Sequence, residues 1–182
     1  MPKILESIRE QLLETARKQI KRNGYAKTTI RSVAAECQIA VGTVYNYFPS
    51  KDMLIATFVS EDWRSCLDAV AAHRDDDAKT RLKRIYDALC VFTERYRTLV
   101  SDADAEQAYR AAFSQRHRQL REQLAVQIEP VCTDGPDRRY CAEFIAESLL
   151  VWTLEGKPFE DIYQILQRLI KTESEDSSDE QL

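Results

Sequence analysis

Residues Thr28–Leu54 read TTIRSVAAECQIAVGTVYNYFPSKDML, and the spacing of their apolar side chains predicts two short helices joined by a tight turn. Thr28 or Thr29 can cap the first with a hydroxyl, after which Ile30, Val33, Ala34 and Cys37 fall on one face at i, i+3, i+4 and i+7. Ile39 lies in the turn. Val44, Tyr45 and Phe48 make a second apolar stripe, so the two helices can pack on each other while the start of the second, Gly42 and Thr43, points outward. Pro49 cannot continue a helix and Ser50 can cap the next one. Lys51 then stands beside a helix N-terminus, where an ammonium and free amides together suit a phosphate. Two helices built this way have the arrangement of a DNA major-groove reader.

The stretch resembles the DNA-binding domain of the TetR family of transcriptional regulators. TTIRSVA matches the positioning helix, VGTVYNYF the recognition helix and PSKDML the entry to the fourth helix, and the preceding amphipathic helix with Asn23, Gly24 and Tyr25 matches as well. The likeness covers about the first third of the chain. It departs from the family at the turn, where Gln38 replaces the usual glycine, and before Gly42-Thr43, where Ala40 and Val41 replace a hydroxyl cap and a polar base-reader. The resemblance implies that Gly42, Thr43 and Asn46 meet the groove and that Thr29, Arg31, Tyr45, Tyr47 and Lys51 meet phosphates. For Tyr45 a core aromatic holding the helix angle is the competing reading, and for Arg31 a solvated helix face.

The chain has 182 residues, more than a three-helix head needs, so a head plus a larger helical body is expected. Its 26 Lys and Arg against 30 Asp and Glu give a net charge of −4, unsuited to nucleic acid until divided by position. Residues 1–60 carry 9 basic and 5 acidic side chains, whereas residues 61–182 carry 17 and 25. The basic charge is concentrated in the head, the footprint of a protein that presents one end to phosphate. Cys37, Cys66, Cys90, Cys132 and Cys141 are dispersed, with no Cys-x-x-Cys pair, and read as cytosolic thiols. Cys132 and Cys141 flank a turn and could approach one another. The N-terminal helix is dotted with charge and lacks the apolar region of a signal peptide, so a cytoplasmic protein with no membrane partner is expected.

With 4 glycines and 5 prolines and no sustained alternation, the expected fold is all-α with about nine helices. Ile4, Ile8, Leu12, Ala16 and Ile20 set the first helix, ended at Asn23-Gly24. Ser50 opens a fourth that runs through Val70 to the linker HRDDD, and Leu82, Ile85, Leu89 and Tyr96 mark a fifth from Ala78. A sixth covers 105–113, a seventh 117–131, and the last two Asp137 to Glu155 and Pro158 to Lys171. The domains are a helix-turn-helix head over 1–49, a helical effector-binding and dimerisation body over 50–171, and an acidic tail over 172–182 too poor in apolar residues to order.

The eighth and ninth helices are apolar over much of their circumference, which suggests a partner as well as a core. Phe144, Ile145, Leu149, Trp152, Ile162, Leu166 and Leu169 are the candidate homodimer interface, a four-helix bundle across a two-fold axis, and the resemblance implies the same dimer. Trp63, Tyr86, Tyr96, Tyr109, Phe113 and His117 are the candidate walls of a pocket for an apolar or aromatic effector, between the fourth and seventh helices. His73 and His117 are the only histidines; His73 lies in a charged linker and His117 reads as a core or rim residue, with no metal and no cofactor expected. There is no Glu-x-x-His pair, nucleophile elbow or phosphate-cradling glycine loop, which argues against an enzyme. The expected function is that of a dimeric regulator on a palindromic operator, a repressor released by a small effector. The alternative is the same head controlled by a protein docking on the body.

Overall fold

The computed structural model describes residues 2–73, 77–100 and 117–170. Their regular structure is helical: α1 (Pro2–Lys27), α2 (Ile30–Glu36), α3 (Val41–Tyr47), α4 (Lys51–Ala71), α5 (Ala78–Val100), α6 (117–128), α7 (Arg138–Leu154) and α8 (Phe159–Leu166). The sixth predicted helix, over 105–113, and the acidic tail lie outside the described residues. Helix ends follow the local chemistry. Gly24 breaks the α1 conformation at φ 78°, at the Asn23-Gly24 stop, and Ser50 Oγ accepts the Met53 amide at 3.1 Å to cap α4. Asp77 caps α5 through the Thr80 amide at 3.0 Å. The seventh predicted helix tightens after 128 into the 3₁₀ turn Glu129–Val131, because Pro130 offers no amide to an α-helical ladder. The last helix is shorter than expected, α8 giving way to the 3₁₀ turn Gln167–Leu169, after which Ile170 bridges Cys132.

The described residues fall into two compact units, one drawn from Met1–Arg64 and Glu94–Phe113 and the other from Ser65–Thr93 and Ser114–Leu182. The first holds α1, α2 and α3. Leu12, Leu13, Ala16 and Ile20 of α1, Ile30, Val33 and Ala34 of α2 and Val44 of α3 are buried, and Cys37 closes the α2 seam with its thiol donating to Thr15 Oγ1 at 3.2 Å. The turn between α2 and α3 is a Schellman cap. The Ile39 amide reaches back to the Ala34 carbonyl at 2.9 Å and the Gln38 amide to Ala35 at 3.1 Å, which places Gln38 in the left-handed region at φ 57°. α4 joins this unit through a polar knot. Arg17 of α1 donates to Glu61 at 3.3 Å and Asp62 at 2.9 Å, and Arg9 to Glu61 at 2.7 Å. Burial alone would raise the Asp62 pKa, but the Tyr96 hydroxyl, Arg95 and Arg17 outweigh it and hold the carboxyl below its ordinary value.

In the second unit the residues expected at the interface divide by their burial within the chain. Ile145 and Leu149 are wholly buried within the chain, and Ile162 and Leu166 nearly so, because α7 turns one apolar face (Ala142, Ile145, Ala146, Leu149, Thr153) inward and α8 packs on it. They are core residues. Trp152 and Leu169 are half-buried, and only Phe144 of the seven stands exposed, at 54%. The apolar residues left outside on α7 are Tyr140, Phe144 and Leu154, with half-buried Val151 between them, at spacings of three to seven that put all four on one face.

A non-glycine residue in the left-handed region costs about 1–2 kcal/mol, while glycine loses about 0.5–1 kcal/mol more entropy on folding. Gln38→Gly is therefore expected to stabilise the fold by up to about 1 kcal/mol, seen as a higher midpoint in chemical denaturation with unchanged slope.

Candidate nucleic-acid interface

Thr29 is the cap of α2. Its Oγ1 accepts the Ser32 amide at 3.0 Å and Ser32 Oγ accepts the Thr29 amide at 2.9 Å, a reciprocal box that takes two free amides at the helix start. The Thr29 hydroxyl proton is not consumed and the residue is exposed, so the cap is compatible with donation to an outside acceptor. Gln19 of α1, only 2% exposed, anchors this corner: its Nε2 donates to Ser32 O at 3.0 Å and Glu36 Oε2 at 2.6 Å, and its Oε1 accepts the Ser32 hydroxyl at 2.6 Å. The same contact and Arg22 keep the Glu36 carboxyl below its ordinary pKa. Sequence periodicity could not single out Gln19, since a glutamine on an amphipathic helix reads as surface.

α3 begins at Ala40 with no side-chain cap, as the missing hydroxyl predicts. Its Val44 is buried, Thr43 and Tyr47 are half-buried, and Gly42, Tyr45 and Asn46 are exposed. Tyr45, at 51% exposure, belongs to the outer face and not to the core. Arg31 is exposed on α2 beside Thr29 and forms no ion pair among the described residues. A Cβ built on Gly42 meets no atom within 4 Å. Nothing among the described residues requires glycine there, although glycine in a helix costs roughly 0.5–1 kcal/mol against alanine. Its use is consistent with a surface that approaches another molecule closely.

Two of the phosphate candidates are placed otherwise than expected. Lys51 Nζ donates to the Tyr25 carbonyl at 3.0 Å and lies 3.5 Å from the centre of the Tyr25 ring, while the Tyr25 hydroxyl donates to Asp52 Oδ1 at 2.6 Å. The first turn of α4 thus clasps the end of α1, and the Lys51 ammonium keeps only its remaining N–H donors for an outside anion. The Tyr47 hydroxyl is covered and has no hydrogen-bond partner among the described residues, its ring lying beside Phe48 at 6.5 Å between centres.

The aromatic residues expected around an effector are largely engaged. Trp63 is buried and Tyr96 stacks on Phe58 at 6.2 Å, both in the first unit, with the Tyr96 hydroxyl donating to Asp62 at 2.5 Å and burial raising its pKa well above the ordinary value. Tyr86 and His117 belong to the second unit. The Tyr86 hydroxyl donates to the Lys157 carbonyl at 2.8 Å and its ring meets Phe159 at 5.5 Å, while His117 Nε2 pairs with both Glu147 oxygens at 3.0 Å. Tyr109 and Phe113 lie outside the described residues. Among the described residues no group of three or more His, Cys, Asp or Glu could hold a metal ion, and no helix is long and apolar enough to cross a membrane.

Residues 12–57 match the sequence profile of bacterial regulatory proteins of the tetR family. The chain is 30% identical over 102 residues to the uncharacterized HTH-type transcriptional regulator YvdT of Bacillus subtilis, covering 55% of this chain and 53% of that protein. It is 37% identical over 54 residues to the HTH-type transcriptional regulator HbdR of Aromatoleum sp., covering 30% and 24%. The chain thus spans about half or less of these curated relatives. A crystal structure of a transcriptional regulator from Cytophaga hutchinsonii superposes with a TM-score of 0.62 at 20% identity over 87% of this chain and 90% of that one, a likeness of fold.

Gln19→Leu keeps the volume but removes the hydrogen bonds of Gln19 to the Ser32 carbonyl, the Ser32 hydroxyl and the Glu36 carboxylate, which keeps Arg22. It is expected to cost about 1–3 kcal/mol, the net worth of the lost hydrogen bonds, one of them to a charged group, measured by urea unfolding.

Proposed function

We propose, for a chain that belongs to the TetR family of bacterial regulatory proteins, a dimeric regulator that binds a two-fold symmetric DNA site through α3 and the start of α2. The observation that carries this reading is the outer face of α3, where Gly42, Tyr45 and Asn46 stand exposed and no neighbour among the described residues calls for a glycine. Gly42 lets backbone approach a groove, Thr43 and Asn46 read base edges, and Arg31, Thr29 and Tyr45 hold phosphates on either side. Lys51 adds its spare donors at the α4 N-terminus. Tyr47 joins only after a rotamer change that brings out its hydroxyl. The charge surplus of residues 1–60 supplies the sequence-independent attraction.

Dimerisation is assigned to the α7 face that carries Tyr140, Phe144, Val151 and Leu154. The reading is supported by apolar side chains that a lone chain leaves in water, Tyr140 at 73% exposure among them. Regulation takes the form of repression relieved by an effector that prefers the DNA-incompetent state and so weakens DNA binding by its differential affinity. The effector class that this reading carries is apolar or aromatic.

Selection of duplexes from a random pool is expected to enrich an inverted repeat bound by two chains. Gly42→Ala should leave the free protein as stable as wild type or up to about 1 kcal/mol more so, yet bind the enriched duplex more weakly. Arg31→Ala should weaken all duplexes alike and lower the salt slope by about 1. A protein that enriches no sequence, or a Gly42→Ala variant that binds as wild type, would remove α3 as the reader.

Phe144→Arg puts a charge where a dimer contact would have to desolvate it, at a cost of several kcal/mol. Sedimentation should give a dimer for wild type and a monomer of unchanged helix content for the variant.

A further inference from the structure

The Asp62 carboxylate of α4, whose side chain is 11% exposed, is shared between two other helices. Oδ1 accepts from Arg17 Nη2 of α1 at 2.9 Å, while Oδ2 accepts from Arg95 Nη1 at 2.9 Å and from the Tyr96 hydroxyl at 2.5 Å, both near the end of α5. The surrounding contacts hold the same three helices. The Arg17 guanidinium lies 5.4 Å from the centre of the Phe58 ring, and Phe58 in turn stacks on Tyr96. A covered carboxylate among arginines is a poor way to gain stability, because desolvation offsets much of the attraction and apolar side chains of similar volume often serve as well. Its return is directional: two oxygens with separate donors fix one relative placement of the helices that supply them. α1 is also the helix on which α2 rests through Gln19, so whatever sets α1 sets the corner that bears Thr29 and Arg31. α5 passes from the second unit into the first between Thr93 and Glu94.

We propose that Asp62 is a positioning residue for DNA recognition, the point at which the end of α5 sets the pose of α1 and, through it, of α2 and α3. The proposal rests on the DNA-binding reading for its consequence and on the Arg17, Arg95 and Tyr96 contacts for its geometry. A displacement of α5 breaks the Arg95 and Tyr96 bonds to Oδ2 while the Arg17 bond to Oδ1 can persist, so the carboxylate loses its second anchor and α1 gains freedom. Asp62 touches no base or phosphate in this scheme. It acts through α1.

The test compares wild type, Asp62→Asn, Tyr96→Phe and the double variant. Tyr96→Phe removes one oxygen and leaves the Phe58 stack, so it keeps the question open to measurement even if Asp62→Asn folds poorly. Each is assayed for amide hydrogen exchange without DNA, for affinity to the duplex enriched from a random pool, and for affinity to a random-sequence duplex of the same length. Exchange in α1, α2 and α3 is expected to quicken in both single variants. Affinity for the enriched duplex should fall about three- to thirty-fold, with less than about a twofold change on the random duplex, whose binding is mainly phosphate attraction. The double variant should lose less than the sum of the two single losses, since both changes act on the same contact. Unchanged exchange and preference in Asp62→Asn, equal losses on both duplexes, or strictly additive losses would overturn the proposal. Should wild type prefer no duplex, the regulator reading fails and exchange alone judges Asp62: quickening of α1 in both variants supports its hold on α1, and unchanged exchange overturns it.

Discussion

α2 and α3 are seven residues each, and helices below about 12–15 residues do not hold their form alone in water. They exist because α1 gives α2 a surface on which to bury Ile30, Val33 and Ala34, and α3 packs on α2 with Val44 buried. Each fully buried side chain of this size is worth about 1.5–3 kcal/mol, so a few such contacts exceed what the helices lack by themselves. Everything presented outward follows from that burial. With Val44 turned in, the helical period leaves Gly42, Tyr45 and Asn46 on the outside of α3, and the left-handed step at Gln38 sets the angle at which that face is offered.

Polar side chains do the finer positioning, and they do it at buried or half-buried sites. Gln19 ties α1 to the cap of α2, Lys51 and Asp52 clasp Tyr25 from opposite ends, and Asp62 divides its oxygens between α1 and α5. Several of these residues have the chemistry expected of a phosphate or effector contact, yet the chain uses it internally. A lysine beside a helix N-terminus and a tyrosine on an amphipathic helix carry the same donors whether their partner is a ligand or a neighbouring carbonyl. Linear order does not distinguish the two, because the competing partner lies far away in sequence: Lys51 meets Tyr25, Tyr86 meets Lys157, and Tyr96 meets Asp62.

The same limit governs α7. Its sequence is apolar on two sides, and periodicity shows that both sides exist without showing which of them faces the core. Burial decides it. Ile145 and Leu149 go inward with Ile162 and Leu166 of α8, leaving Tyr140, Phe144 and Leu154 in contact with solvent. A dimer interface drawn from sequence therefore mixed core and surface residues, and only Phe144 of its seven members is exposed.

By itself the sequence determined the helical class, the stops at Gly24, Pro49 and Gly156, the capped start of α2, and the turn between α2 and α3, because these depend on residues within a few positions of one another. On α3 it set Tyr45 in one stripe with Val44 and Phe48, and only burial puts Tyr45 outside while the other two turn in. Tertiary structure alone decided that Gln19 is buried, which stripe of α7 is core, and where the donors of Lys51, Tyr86 and Tyr96 and the acceptor oxygens of Asp62 are spent. Those outcomes depend on partners 13 to 71 residues away, brought together by helix packing that local chemistry does not encode.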